Sequence, residues 1–393
     1  MRRIAMKPRA DWRPGLRKYP FGVRSLGAGA CWREKARYEF RASQIDHIES
    51  VADEIHAMVL EACRYAVAGE HLPAFGYSRQ ATRLIEESWR SYWSGGAYDD
   101  RAGPLAGRLT FAFDGAESLK LLEAQYDGAV GLFAAAIIQR NWLETLAPGA
   151  AQFNSLHEGL VERWAELAAA AEGPAGELLH FTCLTPDAAR EGELAYVAGA
   201  AQEAGLPAAL LPIQNIGWDG RGFCDGEGLP IDWLYKLYPW QSMADEEFGG
   251  RIRLGAPAVV EPAWTALASN HGLLALLHHL YPSHPNLCRA GGDAGAVAGA
   301  ERAAQRTFFG LEHAAQRVFD ADGGEIWANV DGAIDGRCVW LEQPHTFWDD
   351  EESVSAVIDA WIVGGKCLGM AVREHEGPVV GPDAWIIPHL FAD

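Results

Sequence analysis

The chain has no apolar run of the roughly 18 to 20 residues that a membrane-crossing helix needs, and no apolar stretch of signal-peptide length follows its basic start, Met1 to Arg3. A cytoplasmic location is the resulting expectation. Cysteine is sparse: the seven residues at 31, 63, 183, 224, 288, 338 and 367 are odd in number and never spaced as CxxC. That pattern argues against a disulfide framework and against a structural zinc site, and predicts reduced, mostly buried thiols. Positive charge is also scarce, with 33 Lys and Arg against 53 Asp and Glu, for a formal net charge of -20. Such a surface repels phosphate backbones and anionic lipid, so neither nucleic acid nor a membrane is an expected partner, while a polycation would be attracted. Lysine is missing altogether between Lys236 and Lys366.

What remains is an ordinary globular composition. Of 393 residues 49% are apolar, which suffices for a sizeable core in two domains or in one large fold with a subdomain. Residues Ser43 to Asp46 form a weak capping box, and Ile45, Ile48, Val51, Ile55, Met58 and Val59 then recur at helical spacing, predicting a helix over 43–67. Alternation from Arg108 to Phe113, a turn at Asp114-Gly115 and a return to Gln125 predict a hairpin whose Glu123 and Gln125 share a face. Helices are expected at 129–145, 155–172 and 186–204, with strands at 178–183 and 208–213 that suggest a βαβ unit. A helix is expected over 264–281, then an Ala/Gly-rich loop and helix over 291–304. Gly-Gly turns at 323–324 and 364–365 predict two further hairpins. His278, His279 and His284 lack an acidic partner at metal-site spacing and read as satisfied histidines near a helix end.

Separated segments of the chain together resemble the synthetase portion of the glutathionylspermidine synthase family, an ATP-grasp group. They are Asp11 to Arg13, FNSLHE from Phe153, LHFT from Leu179, YKLYPW from Tyr235, EPAW from Glu261, Ser269-Asn270, HPNL from His284, GMAVRE from Gly369 and PHLF from Pro388. Their order and spacing cover nearly the whole chain. The resemblance implies an α/β (α+β mixed) fold: an ATP-grasp-like two-lobe core with an inserted βαβ substrate-type domain. Residues 1–150 would carry the N-terminal helical region and the magnesium-hairpin lobe, 151–255 the inserted α/β domain, and 256–393 the C-terminal lobe. The implied activity joins a peptide carboxylate to an amine such as a polyamine through an acyl phosphate, with Mg²⁺ and ATP as cofactors. Lysines on the phosphates and hard ligands on the metal would neutralise the phosphoryl group in transfer.

Position by position, the resemblance places Arg108 and Glu123 at the catalytic hairpin, with Glu123 and Gln125 as metal ligands. Thr110 stands where the family has an aspartate, and Gln125 where it has an asparagine. The two ATP-side lysines fall on His271 and Phe308, and the phosphate loop on Glu312 to Gln316, with Arg302, Arg306 and Arg317 as the other cations at hand. Asp127, Arg373 and Glu374 are the implied substrate contacts. With both lysine positions changed, the expectation is a catalytically degenerate ligase. It would bind a small molecule, a peptide- or polyamine-type ligand, or a protein such as an intact paralogue. The alternative is an active carbon–nitrogen ligase with a rewired nucleotide site.

Overall fold

The computed structural model describes residues 1–393 apart from 20, 23, 95, 100–102, 171–177, 253–256, 310–314, 335, 382 and 393. The expected phosphate-loop residues 312–314 thus lie outside the described residues.

Strand alternation decides where the core and the polar face lie. In Ala106–Phe113, Leu109, Phe111 and Phe113 enter the main apolar core, while Arg108 and Thr110 point to the other side. That core is closed by the helix Ala42–Ala68, whose Ile45, Ile48, Val51, Ile55 and Val59 form the stripe seen in the sequence. The sheet has six strands. From one edge they run Trp385–Ile387, Lys366–Glu376, Val354–Val363, Ala106–Phe113 and Leu119–Gln125, with Phe347–Asp349 added beside Val354–Val363. The two longest strands are joined at Gly364 and Gly365, both at positive φ (56° and 81°), the conformation a two-residue hairpin turn requires. The predicted first hairpin and the strands from Phe347 to Ile387 therefore build one sheet.

A second sheet of four parallel strands runs in the order Ala258–Val260, Trp233–Leu237, Leu179–Cys183 and Ala208–Pro212. Its crossover helix Ala188–Glu203 is capped by Asp187, which accepts hydrogen bonds from the amides of Ala189 and Arg190. A third, antiparallel sheet runs in the order Ala290–Gly291, Cys338–Glu342, Arg302–Thr307, Gln316–Asp320 and Glu325–Ala328. Two expectations change here. The Ala/Gly-rich stretch yields a short 3₁₀ turn at Ala294–Val297 and then a strand from Arg302. Its glycines disfavour a helix, and the residues from Arg302 onward pair with Cys338–Glu342 instead. The helix expected over 264–281 is split into Thr265–Ala268 and Gly272–Leu280. Ser269 Oγ accepts from the amides of Tyr126 and Asp127, and Asn270 Oδ1 accepts from the Gly272 amide, so side chains replace helical bonding at the break. All seven cysteines are free thiols, and no helix is long and apolar enough to cross a membrane among the described residues.

Two buried polar contacts, one of them an ion pair, join the parallel sheet to the six-stranded one. Lys236, fully buried, places Nζ 2.5 Å from Asp127 Oδ1, while Asp127 Oδ2 accepts from the Trp240 amide at 2.8 Å. Glu261, just beyond Ala258–Val260, accepts from the amides of Leu105 and Ala106 at 2.7 and 3.1 Å, where the first hairpin strand begins. Burial raises the Glu261 pKa to about 8 against the opposing pull of those two amides. A raised carboxyl pKa means that the native state binds more protons than the unfolded state. Stability should therefore fall as pH rises from the unfolded value near 4.5 through about 8. Glu261→Gln should flatten that part of the profile, which thermal melts between pH 5 and 9 would check.

Candidate functional site

Cross-strand register places Glu123, Thr110 and Asp359 in one row over three adjacent strands: Thr110 is directly opposite Glu123 on one side and Asp359 on the other. Directly opposed residues on one sheet face have their Cβ atoms about 5 Å apart, so these side chains meet. They form the floor of a cavity of about 340 Å³, within the size range of small-molecule sites. Arg108 and Arg373 also line it, as does His271 from the break between the two short helices. The five-stranded sheet adds Arg306 and Gln316, and the capped crossover helix adds Arg190 and Glu193.

Each floor carboxylate already has protein partners. Asp359, 2% exposed, receives Arg373 Nε on Oδ2 at 2.5 Å, and Arg373 Nη2 and Thr110 Oγ1 on Oδ1 at 2.9 and 2.7 Å. Glu123 Oε1 accepts from Gln125 Nε2 at 2.9 Å and lies 3.1 Å from His271 Nε2. The other ring nitrogen of His271 lies 2.7 Å from the Thr307 carbonyl. Both partners are acceptors, and the ring bridges them. Arg108 stands between the carboxylates, 3.8 Å from Glu123 and 3.9 Å from Asp359, and donates to Gln125 Oε1 at 2.6 Å. Burial alone would raise the Glu123 pKa. The His271 hydrogen bond and the charges of His271, Arg108 and Arg373 outweigh it and hold the group at about 2, so it is ionised at neutral pH.

The structure thus gathers Arg108, Glu123, His271 and Arg373 around one cavity, with Gln125 bracing two of them. Gln125 directs its carbonyl oxygen at Arg108 and its amide nitrogen at Glu123, leaving that oxygen engaged by a guanidinium where a metal-ligand role was expected. Phe308 does not line the cavity. Its ring packs against Gly272 and the main core, and its carbonyl accepts from the His271 amide. Arg306, two residues earlier and so on the same face of the strand, is the residue that reaches the cavity; Arg302 instead contacts His345 at the surface, and Arg317 pairs with Glu325. Asp127 faces a smaller adjoining recess and is engaged by Lys236. Glu374 points to the opposite face of the sheet from Arg373, where Arg3 and Tyr38 hold it at 2.6 and 2.8 Å. The residue that motif reading left out is Asp359. Its signal is present in the sequence as the one charged residue within the ten-residue strand Val354–Val363.

Among the described residues, four arginines and four carboxylates line the cavity: Arg108, Arg190, Arg306 and Arg373 against Glu123, Asp187, Glu193 and Asp359. Asp187 pairs with Arg190 at 2.7 Å, and Glu193 accepts from the Phe133 amide at 2.9 Å. No group of three or more His, Cys, Asp and Glu arranged to hold a metal occurs among the described residues. As arranged, both Asp359 oxygens and Glu123 Oε1 are held by protein partners, while Glu123 Oε2 stands 3.8 Å from Arg108.

Compared with known proteins, the chain matches the family model described as glutathionylspermidine synthase preATP-grasp over residues 3–392. It is similar to a Haemophilus influenzae protein provisionally named an acid–amine ligase, at 29% identity over 370 residues that span 92% of this chain and 91% of that protein. Trypanothione synthetase of Crithidia fasciculata is 25% identical over 308 residues, covering 71% of this chain and 46% of that enzyme. The bifunctional glutathionylspermidine synthetase/amidase of Escherichia coli is 25% identical over 273 residues, covering 63% and 42%. The chain therefore matches less than half the length of these last two relatives. A solved glutathione synthetase-like effector of Globodera pallida superposes with a TM-score of 0.53 at 11% identity over 98% of both chains, a likeness of fold.

The floor geometry ranks two substitutions. Asp359→Ala strands the Arg373 charge and is expected to cost about 3 kcal/mol, the scale for breaking a buried ion pair from one side. Thr110→Val removes one neutral donor and is expected to cost about 1 kcal/mol. Urea denaturation of the two variants checks both the order and the gap.

Proposed function

Because the chain belongs to the glutathionylspermidine synthase preATP-grasp family, a family of acid–amine ligases, we propose that it keeps the family's cavity for binding a small molecule and has given up Mg–ATP chemistry. The observation that carries this reading is the self-balanced floor: Glu123 and Asp359 are neutralised by His271, Arg108 and Arg373. The absence of lysine between 236 and 366 supports the same reading. A compact ammonium at the end of a flexible stem differs from a planar guanidinium, so Arg306 is no simple replacement for a phosphate-binding lysine. A cavity lined by both guanidinium groups and carboxylates suits a ligand that carries both signs, an amino-acid- or peptide-type molecule with a carboxylate and an amine. Calorimetric titration should give no heat of binding with Mg–ATP and saturable binding of a short peptide such as glutathione without metal. A micromolar Kd for Mg–ATP would overturn the reading.

One observation favours a second reading, an active carbon–nitrogen ligase. Arg306 and Gln316 are direct cross-strand partners, and Arg306 Nε and Gln316 Nε2 are both buried in the cavity wall without a hydrogen-bond partner among the described residues. Two such donors side by side could receive phosphate oxygens. Under that reading the chain shows amine-dependent ADP release, and Glu123→Ala abolishes it. Equal turnover in that variant would remove Glu123 from the assignment.

A further inference from the structure

The four-stranded parallel sheet has a second face. Trp233, Tyr235 and Leu237 enter the core that holds the crossover helix Ala188–Glu203, so the residues between them turn the other way. On that other face Leu234 and Val259, directly opposed across two strands, floor a cavity of about 80 Å³. It shares no described lining residue with the arginine-lined one. One wall comes from the chain after Ala208–Pro212, with Ile213, Ile216 and Phe223, and the other from Phe248, Ile252 and Pro257. The helix Arg79–Tyr92 pins that second wall: Gln80 Nε2 donates to the Gly249 carbonyl at 2.8 Å, and Arg83 Nη2 to the Ile252 carbonyl at 2.9 Å. The cavity is therefore preformed, and walls this apolar accept an apolar group more readily than water. At about 30 Å³ for each water-sized group it has room for a branched aliphatic side chain and for little more.

The mouth of this cavity is charged. Glu246 is the one charged side chain among the described residues that line it; it is exposed, stands between Asp245 and Glu247, and accepts from the Tyr238 hydroxyl. No cation pairs with it among the described residues. Arg251 is exposed and likewise has no carboxylate partner among the described residues. Its guanidinium lies 5.0 Å from the centre of the Phe248 ring and 5.1 Å from that of Trp218, and Trp218 packs edge-on against Phe223 at 5.1 Å. Phe248 and Phe223 belong to opposite walls, so Arg251 bridges them at the rim and is held there by cation–π attraction. We propose that this cavity is a binding site for a free branched-chain amino acid: the side chain fills the apolar interior, Glu246 takes the α-ammonium and Arg251 takes the α-carboxylate. An apolar body with one charge of each sign matches the interior and the two rim groups, and a free carboxylate suits the two parallel bonds of a guanidinium. The site is separate from the cavity of the proposed function and stands or falls independently of it.

Calorimetric titration of the full chain with L-leucine tests the proposal. Saturable binding is expected, with glycine at least about tenfold weaker because the buried side chain supplies the apolar contribution. Leucinamide and isocaproate, which each lack one of the two charges, should also bind at least about tenfold more weakly. Glu246→Gln and Arg251→Gln alter exposed groups, so both variants should melt with the wild type in the absence of ligand. Each should nevertheless lose at least about tenfold in leucine affinity. Absence of saturable binding with leucine, isoleucine and valine overturns the proposal. So does leucine affinity that survives both substitutions, which places the amino acid elsewhere, and so does glycine, leucinamide or isocaproate that binds as tightly as leucine.

Discussion

A carboxylate buried in the middle of an apolar strand must be neutralised where it stands, and Asp359 imposes that condition on everything around it. Taking an ion of this kind out of water costs several kcal/mol unless a counter-charge and hydrogen bonds meet it directly. Arg373 and Thr110 do so from the two neighbouring strands, and Arg108 approaches from the next row along the sheet. The same arginines, with His271, hold Glu123 ionised. The polar floor is therefore one connected network in which removing any charge exposes another.

The rest of the molecule keeps that network aligned. The helix Ala42–Ala68 fills the opposite face of the six-stranded sheet with aliphatic side chains, which fixes which side of each strand turns toward the cavity. The split between Thr265–Ala268 and Gly272–Leu280 presents His271 to Glu123, because Ser269 is tied to the backbone at the end of the hairpin. The five-stranded sheet brings Arg306 over the floor and braces it through the Leu122 carbonyl at 2.7 Å. Family relationship and fold are thus retained around a centre whose charges satisfy one another.

Much of this was legible in the sequence where periodicity is strong. The stripe from Ile45 to Val59, the alternation around Phe111 and the Gly364-Gly365 turn each have one simple physical solution, and the elements formed as that solution requires. The site was harder to read because side-chain direction depends on register, which spacing along one strand does not supply. Phe308 and Arg306 share a face of the backbone, yet the ring sits past the strand end against Gly272 while the guanidinium enters the cavity. Arg373 and Glu374 are neighbours and necessarily point to opposite faces, so a motif containing both can place only one in a cavity. The Asp359 carboxylate opposite Thr110 became visible only when strands distant in sequence were paired.

In the proposed reading the protein's own cations hold this floor in place of a metal and a nucleotide. A crystal structure grown with Mg²⁺ and a nonhydrolysable ATP analogue tests it most directly. The expected result is Arg373 still bidentate on Asp359, with no nucleotide density between the Glu123 hairpin and the strand carrying Arg306. Ordered phosphates there, with a metal ion bound to Glu123 or Asp359, would contradict it.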